Sequence, residues 1–115
     1  RVANDLRGSV DGWDFKSYVL GMLFYRFISE NLTEYINRLE RQAGLDTFDY
    51  AKLTDEQAEF GRQVTVEEKG FFILPSELFA NVRARAAQDE NLNETLERVF
   101  KHIEGSAVGT DSEDD

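Results

Sequence analysis

From Leu20 to Leu39, apolar side chains recur at steps of three and four residues: Leu20, Phe24, Phe27, Ile28, Leu32, Tyr35, Ile36 and Leu39. That spacing places them along one side of an α-helix. A helix of roughly eight turns therefore dominates any fold this chain can adopt. Its start falls near Asp11–Asp14, where Asp11 can cap and Asp14 suits the positive helix end. Its stop falls at Gly44, with Arg38 and Arg41 near the negative end. Gly21 inside the stripe costs about 1 kcal/mol against Ala, which suggests close approach of another helix. If the stripe is the buried face, Phe24→Ala should cost about 3–5 kcal/mol.

The rest of the chain must fold around that helix. Residues 45–53 have no clear period and read as a connection. Thr54 with Gln57 is a capping-box pattern, opening a short helix that Gly61 closes. Val64–Val66 and Phe71–Leu74 favour strands, with Lys69-Gly70 between them as a turn, which predicts a small two-stranded β-hairpin. Pro75 ends the second strand, and Ser76 is placed to cap a helix over about 77–87. Asn91 with Glu94 is a second capping-box pattern. It opens a last helix that buries Leu92, Leu96, Val99, Phe100 and Ile103. From Gly105 the residues turn small and acidic, which predicts little order. The expected fold class is mainly α: a helical bundle with one long N-terminal helix and a small β-hairpin.

At 115 residues there is room for one domain, and 41% hydrophobic content is enough for a core. With no cysteine, disulfide scaffolds and Cys-based metal sites are excluded. The single histidine, His102, makes a Ser-His relay or a His-rich metal site improbable and reads as a packing or helix-end residue. The longest apolar run, Tyr18–Tyr25, is too short for a membrane span, and no signal pattern precedes it. A cytoplasmic location without membrane attachment is the expectation. The chain begins at Arg rather than Met and ends in acids, which reads as a piece of something longer.

Net charge is −10, and neither half of the chain is basic. A free-standing nucleic-acid binder carries a basic footprint, so any DNA contact here must be local or made within a larger complex. Arg83 and Arg85, Lys101, Arg7 beside Gly8, and Lys16 are the candidate contacts to DNA or to a partner subunit. Glu67, Glu68, Asp89 and Glu90 read as solvated acids, and Trp13 as a staple or core residue beside the long helix. No phosphate-cradling glycine loop, nucleophile elbow, zinc helix or EF-hand loop is present. These residues thus expose no catalytic, cofactor-binding or metal-binding group.

Four ordered blocks resemble one family. They are Leu6-Arg7-Gly8 with Asp11–Lys16 and Tyr18–Glu30; Glu68–Phe79; Val99–Glu104; and Gly105–Ala107 with Ser112–Asp114. Together they resemble the N-terminal helical domain of the modification (methylase) subunit of type I restriction–modification systems. The resemblance implies residues 1–104 as that domain and 105–115 as an acidic linker toward a catalytic domain. It implies a parent enzyme that moves a methyl group from S-adenosylmethionine to N6 of adenine, with no cofactor held by this piece. The implied partners are a specificity subunit, a second modification subunit, a restriction subunit, and DNA through the assembled complex. The implied role is non-catalytic: subunit assembly and closure around DNA. The family's Asn-Pro-Pro-aromatic motif beside the flipped base does not occur, since the one proline lies in Leu74-Pro75-Ser76. The competing reading is a self-contained acidic helical protein–protein adaptor unrelated to DNA.

Overall fold

The computed structural model describes residues 15–111. The long helix, α1, spans Phe15–Gln42. Its C-terminus closes as the glycine position predicts: Gly44 takes φ 110°, Gly44 N donates to Arg41 O, and Leu45 N donates to Glu40 O. This is a Schellman closure, which a Cβ at Gly44 would strain. The N-terminal boundary expected at Asp11–Asp14 lies outside the described residues.

Arg41 donates to the Phe48 carbonyl, and the Asn37 side chain accepts from Tyr50 N, so the connection stays pinned to α1. A 3-10 turn at Tyr50–Lys52 follows. Thr54 and Gln57 then form the predicted capping box, with bonds of 2.9 and 3.1 Å, opening α2 (Asp55–Glu59).

No β-hairpin forms, and among the described residues there is no strand. Val64, Thr65 and Val66 belong to a helix, α3 (Arg62–Lys69). Their β-branched preference is a weak prior that tertiary contacts override. Arg62 grips Glu59 through two bonds of 2.8 Å, Tyr35 on α1 donates to Glu68 at 2.6 Å, and the Lys69 ammonium sits 4.7 Å from the Tyr35 ring. Gly70 does turn the chain, but as the left-handed cap of α3, at φ 90°. Phe71–Leu74 belong to no helix or strand, and Phe72 and Ile73 are buried. The Ile73 carbonyl accepts from Tyr50 Oη at 2.7 Å, and Phe72 N donates to Ser106 Oγ at 2.9 Å. Side chains thus satisfy the backbone groups that a partner strand would have taken.

A 3-10 turn at Pro75–Glu77 leads into α4 (Phe79–Arg85), and a further one at Ala86–Gln88 follows it. Ser76 does not cap this helix. Its N and Oγ both donate to the Asp55 carboxylate, at 3.0 and 2.6 Å. The first turn of α4 is met from across the core instead, where Phe79 N donates to Ser29 Oγ of α1 at 3.1 Å. Before the last helix, Asp89 accepts from Asn91 N and Thr95 Oγ1. The Thr95 hydroxyl, and then the backbone bond, hold its carboxyl below the usual range. The last helix, α5, spans Leu92–Asp111. It runs on past Gly105, where composition predicted an end to order. Ser106 ties this stretch down, accepting from Phe72 N and donating to Ile103 O.

The core gathers Tyr25, Ile28 and Leu32 of α1, Tyr50, Ala58, Phe72, Ile73, Leu78, Val82 of α4, and Leu96, Val99 and Ile103 of α5. The stripe read from sequence is therefore split. Ile28 and Leu32 are inside with Tyr25, while Leu20, Phe24, Phe27 and Leu39 are exposed. Phe24 is 62% exposed, which overturns the expectation that it is a core residue. Tyr25 takes the central place, edge-on to Phe79 at 5.4 Å and to Phe100 at 5.2 Å, with its hydroxyl donating to the Glu77 carbonyl. Burial first, and then the Glu77 charge, push its phenol above the ordinary value, with Arg85 opposing.

Candidate functional site

The structure separates the five predicted contact residues. Arg7 lies outside the described residues. Lys16 stands in the first turn of α1, and its side chain is likewise outside them. Arg83 and Arg85 occupy the last turn of α4 and are exposed. Arg85 donates to the Ser76 carbonyl at 3.0 Å, so it braces the turn before its own helix as well as facing solvent. Among the described residues Arg83 pairs with no carboxylate. Lys101 stands instead on α5, at an open cleft of about 320 Å³ lined also by Arg62, Phe72, Glu77, His102 and Ser106.

That cleft brings Lys101 together with Arg62, which sequence reasoning missed. The missed signal was local: Glu59 three residues earlier, on a helix pattern rather than a strand pattern. Arg62 reaches Glu59 through both its Nε and Nη2, and its guanidinium lies 4.6 Å from the Phe72 ring centroid. Its hydrogen bond holds the Glu59 carboxyl below the usual range. Lys101 meets Glu97 at 3.6 Å. His102 Nδ1 lies 2.6 Å from Glu77 Oε2, the histidine half-exposed and the glutamate buried.

Arg62 and Lys101 thus each have their own carboxylate, and a third, Glu77, lies against His102. With at least as many acids as formal cations, the cleft has no excess positive field with which to concentrate a phosphate. The pairing has a structural effect instead. His102 fastens α5 to the Pro75–Glu77 turn and spares the buried Glu77 carboxylate an unpaired state, which would cost heavily. His102 is therefore an exposed polar partner of Glu77 in the middle of α5, and neither the packing nor the helix-end residue expected from the sequence. Among the described residues, no group of three or more His, Asp or Glu is placed to hold a metal ion. None of the described helices is long and apolar enough to cross a membrane.

Among the described residues, two groups of exposed apolar side chains stand out, apart from Leu39 and Leu45. One is the outer side of α1: Val19, Leu20, Leu23, Phe24 and Phe27. It borders a groove of about 170 Å³ lined by Gly21, Phe24 and Ile28 of α1 and by Phe100, Ile103 and Glu104 of α5. The other is Phe60, 93% exposed after α2, with Val64 one turn on.

Against known proteins, the HsdM N-terminal domain family matches residues 1–114. The methylase subunit of the type I restriction enzyme MpnII from Mycoplasma pneumoniae is 49% identical over 110 residues, covering 91% of this chain and 20% of that protein. The chain therefore spans about a fifth of the length of that relative. No solved structure matches. With nearly its whole length matched, the chain belongs to the HsdM N-terminal domain family, the N-terminal helical domain of type I restriction–modification methylase subunits.

Proposed function

We propose that this chain is the non-catalytic interaction domain of a site-specific DNA adenine-N6 methyltransferase subunit, aiding subunit assembly and closure around DNA. The observation that carries the proposal is the extent of the match: 91% of this chain aligns with only 20% of a type I methylase subunit. A domain of that size leaves the methyl transfer, and the S-adenosylmethionine it consumes, to the remaining part of the parent protein. Residues 1–104 form the interaction domain in this reading, and 105–115 lead toward the catalytic part, beginning as the last turns of α5. The specificity subunit, a second modification subunit and a restriction subunit are the partners, and DNA is met through their assembly. The same alignment favours this over a self-contained adaptor unrelated to DNA.

Among the cations, Arg83 is the best probe of a DNA contact, because it is exposed and, among the described residues, pairs with no carboxylate. Arg85 also braces Ser76, and Lys101 is engaged with Glu97. In the assembled methylase, Arg83→Ala should weaken DNA binding and lower the salt slope by about 1 if one phosphate contact is lost. Affinities measured at several salt concentrations provide the test. Identical affinities and slopes would remove Arg83 from the DNA surface. Removing the whole domain from the parent subunit should abolish stable assembly with the specificity subunit, and intact assembly without it would overturn the proposal.

A further inference from the structure

Residues 105–111 are helical against their composition. Gly105 and Gly109 are poor helix formers. A Cβ at Gly105 would meet nothing within 4 Å, so no close approach requires a glycine there. Asp111 stands in a last turn that holds no base, where a negative charge opposes the helix dipole. No Lys or Arg follows Lys101 in the chain. A stretch of this length and composition would not be helical by itself.

Its support comes from across the fold. Ser106 Oγ accepts from Phe72 N at 2.9 Å and donates to Ile103 O at 2.6 Å. One hydroxyl thus joins the last turns of α5 to a residue whose side chain is in the core. A turn earlier, His102 meets Glu77 and Ile103 is buried, which fixes the helix up to that point whatever happens beyond it. Gly105 and Ser106 also line the open cleft of about 320 Å³. The tie is therefore at the edge of solvent, and water entering the cleft can replace the hydroxyl at Phe72 N. It can open without leaving a buried donor unpaired.

We propose that Ser106 is a latch that selects between two forms of the chain beyond Ile103. Closed on Phe72 N, it carries α5 as a rigid strut about 12 Å past Ile103. Open, it lets residues 105–111 become a flexible tether anchored at Ile103, with Gly105 and Gly109 as its loosest points. The latch stands on the geometry. Its use, to set the direction and reach of the parent's catalytic part, rests on the reading that residues 105–115 lead there.

Amide hydrogen exchange in the 115-residue chain tests the latch without any partner. Its failure would leave the assembly experiment untouched, and intact assembly without the domain would leave the latch standing. In the unaltered chain the amides of 107–111 should exchange about tenfold more slowly than coil, and that of Phe72 should be protected too. Ser106→Ala should bring 107–111 to coil rates and speed exchange at Phe72 about tenfold, with the amides of 96–103 unchanged. Adding Gly105→Ala to Ser106→Ala should restore protection at 107–111 through helix propensity, while Phe72 stays fast. Coil rates at 107–111 in the unaltered chain would overturn the proposal, as would full protection there in Ser106→Ala. Protection lost along the whole of α5 would make Ser106 a core residue rather than a latch and overturn it equally. A double variant still at coil rates over 107–111 would show that the segment lacks more than the tie, and would overturn it as well.

Discussion

The inner and outer sides of α1 are built from similar material and meet opposite fates. The inner side sets Tyr25, Ile28 and Leu32 in the core, and the outer side leaves Leu20, Leu23, Phe24 and Phe27 exposed. Hydrophobicity does not separate them, because Phe24 and Phe27 are as apolar as any core residue. Polar atoms do. The inner side also carries the Tyr25 hydroxyl and the Ser29 hydroxyl, and both are spent on the backbone of the Pro75–Phe79 region: Tyr25 Oη on the Glu77 carbonyl, Ser29 Oγ on Phe79 N. A helix with two apolar sides is oriented by the side that can satisfy its neighbours' hydrogen bonds.

The largest test of this contrast is Leu32→Ala. Leu32 is fully buried, so its loss should cost about 2–5 kcal/mol, read as a lowered urea midpoint with an unchanged slope. A midpoint equal to that of the unaltered chain would mean the two sides have been exchanged.

Much of this arrangement is legible in the sequence, and the failures share a cause. The α1 stop at Gly44, the Thr54–Gln57 box and the apolar side of α5 can be read because local chemistry settles each of them. The hairpin expectation fails because Val64–Val66 have a strand composition, while what decides the matter is distant. Tyr35 on α1 holds Glu68, and Tyr50 and Ser106 take up the Ile73 and Phe72 backbone groups. Ser76 looks like a cap because nothing in sequence shows that Asp55 claims it. The candidate contacts scatter for the same reason. Lys101 and Arg62 converge from α5 and α3, a juxtaposition that only the folded chain creates.

A middle-sized effect sharpens the role of polar atoms. Tyr50 is buried and donates to Ile73 O at 2.7 Å. Tyr50→Phe leaves that carbonyl without its donor and should cost about 1–3 kcal/mol. Burial first, and then Asp55, raise the Tyr50 phenol above its ordinary value, with Arg62 opposing. Tyr25 is raised in the same way. A group whose folded value is raised gives stability that is complete below the unfolded value, near pH 10, and is lost as pH climbs beyond it. Urea stability should therefore fall above about pH 10, and fall less steeply in Tyr50→Phe. Equal alkaline slopes would show that Tyr50 ionises as readily in the fold as in the unfolded chain.

The smallest expected effect falls on the outer side. With 62% of Phe24 exposed, Phe24→Ala removes only the contacts along the groove toward Phe100 and Ile103. The loss should be about 1 kcal/mol, well below the cost at Leu32 and below the 3–5 kcal/mol that a core phenylalanine would show. Phe60, 93% exposed and outside the core, sets the baseline, and Phe60→Ala should stay within about 0.5 kcal/mol. Global unfolding followed by far-ultraviolet circular dichroism ranks the three sites together. If Phe24→Ala matched Leu32→Ala, the outer side of α1 would be part of the core in solution, and the hydroxyls of Tyr25 and Ser29 would no longer account for which way the helix faces.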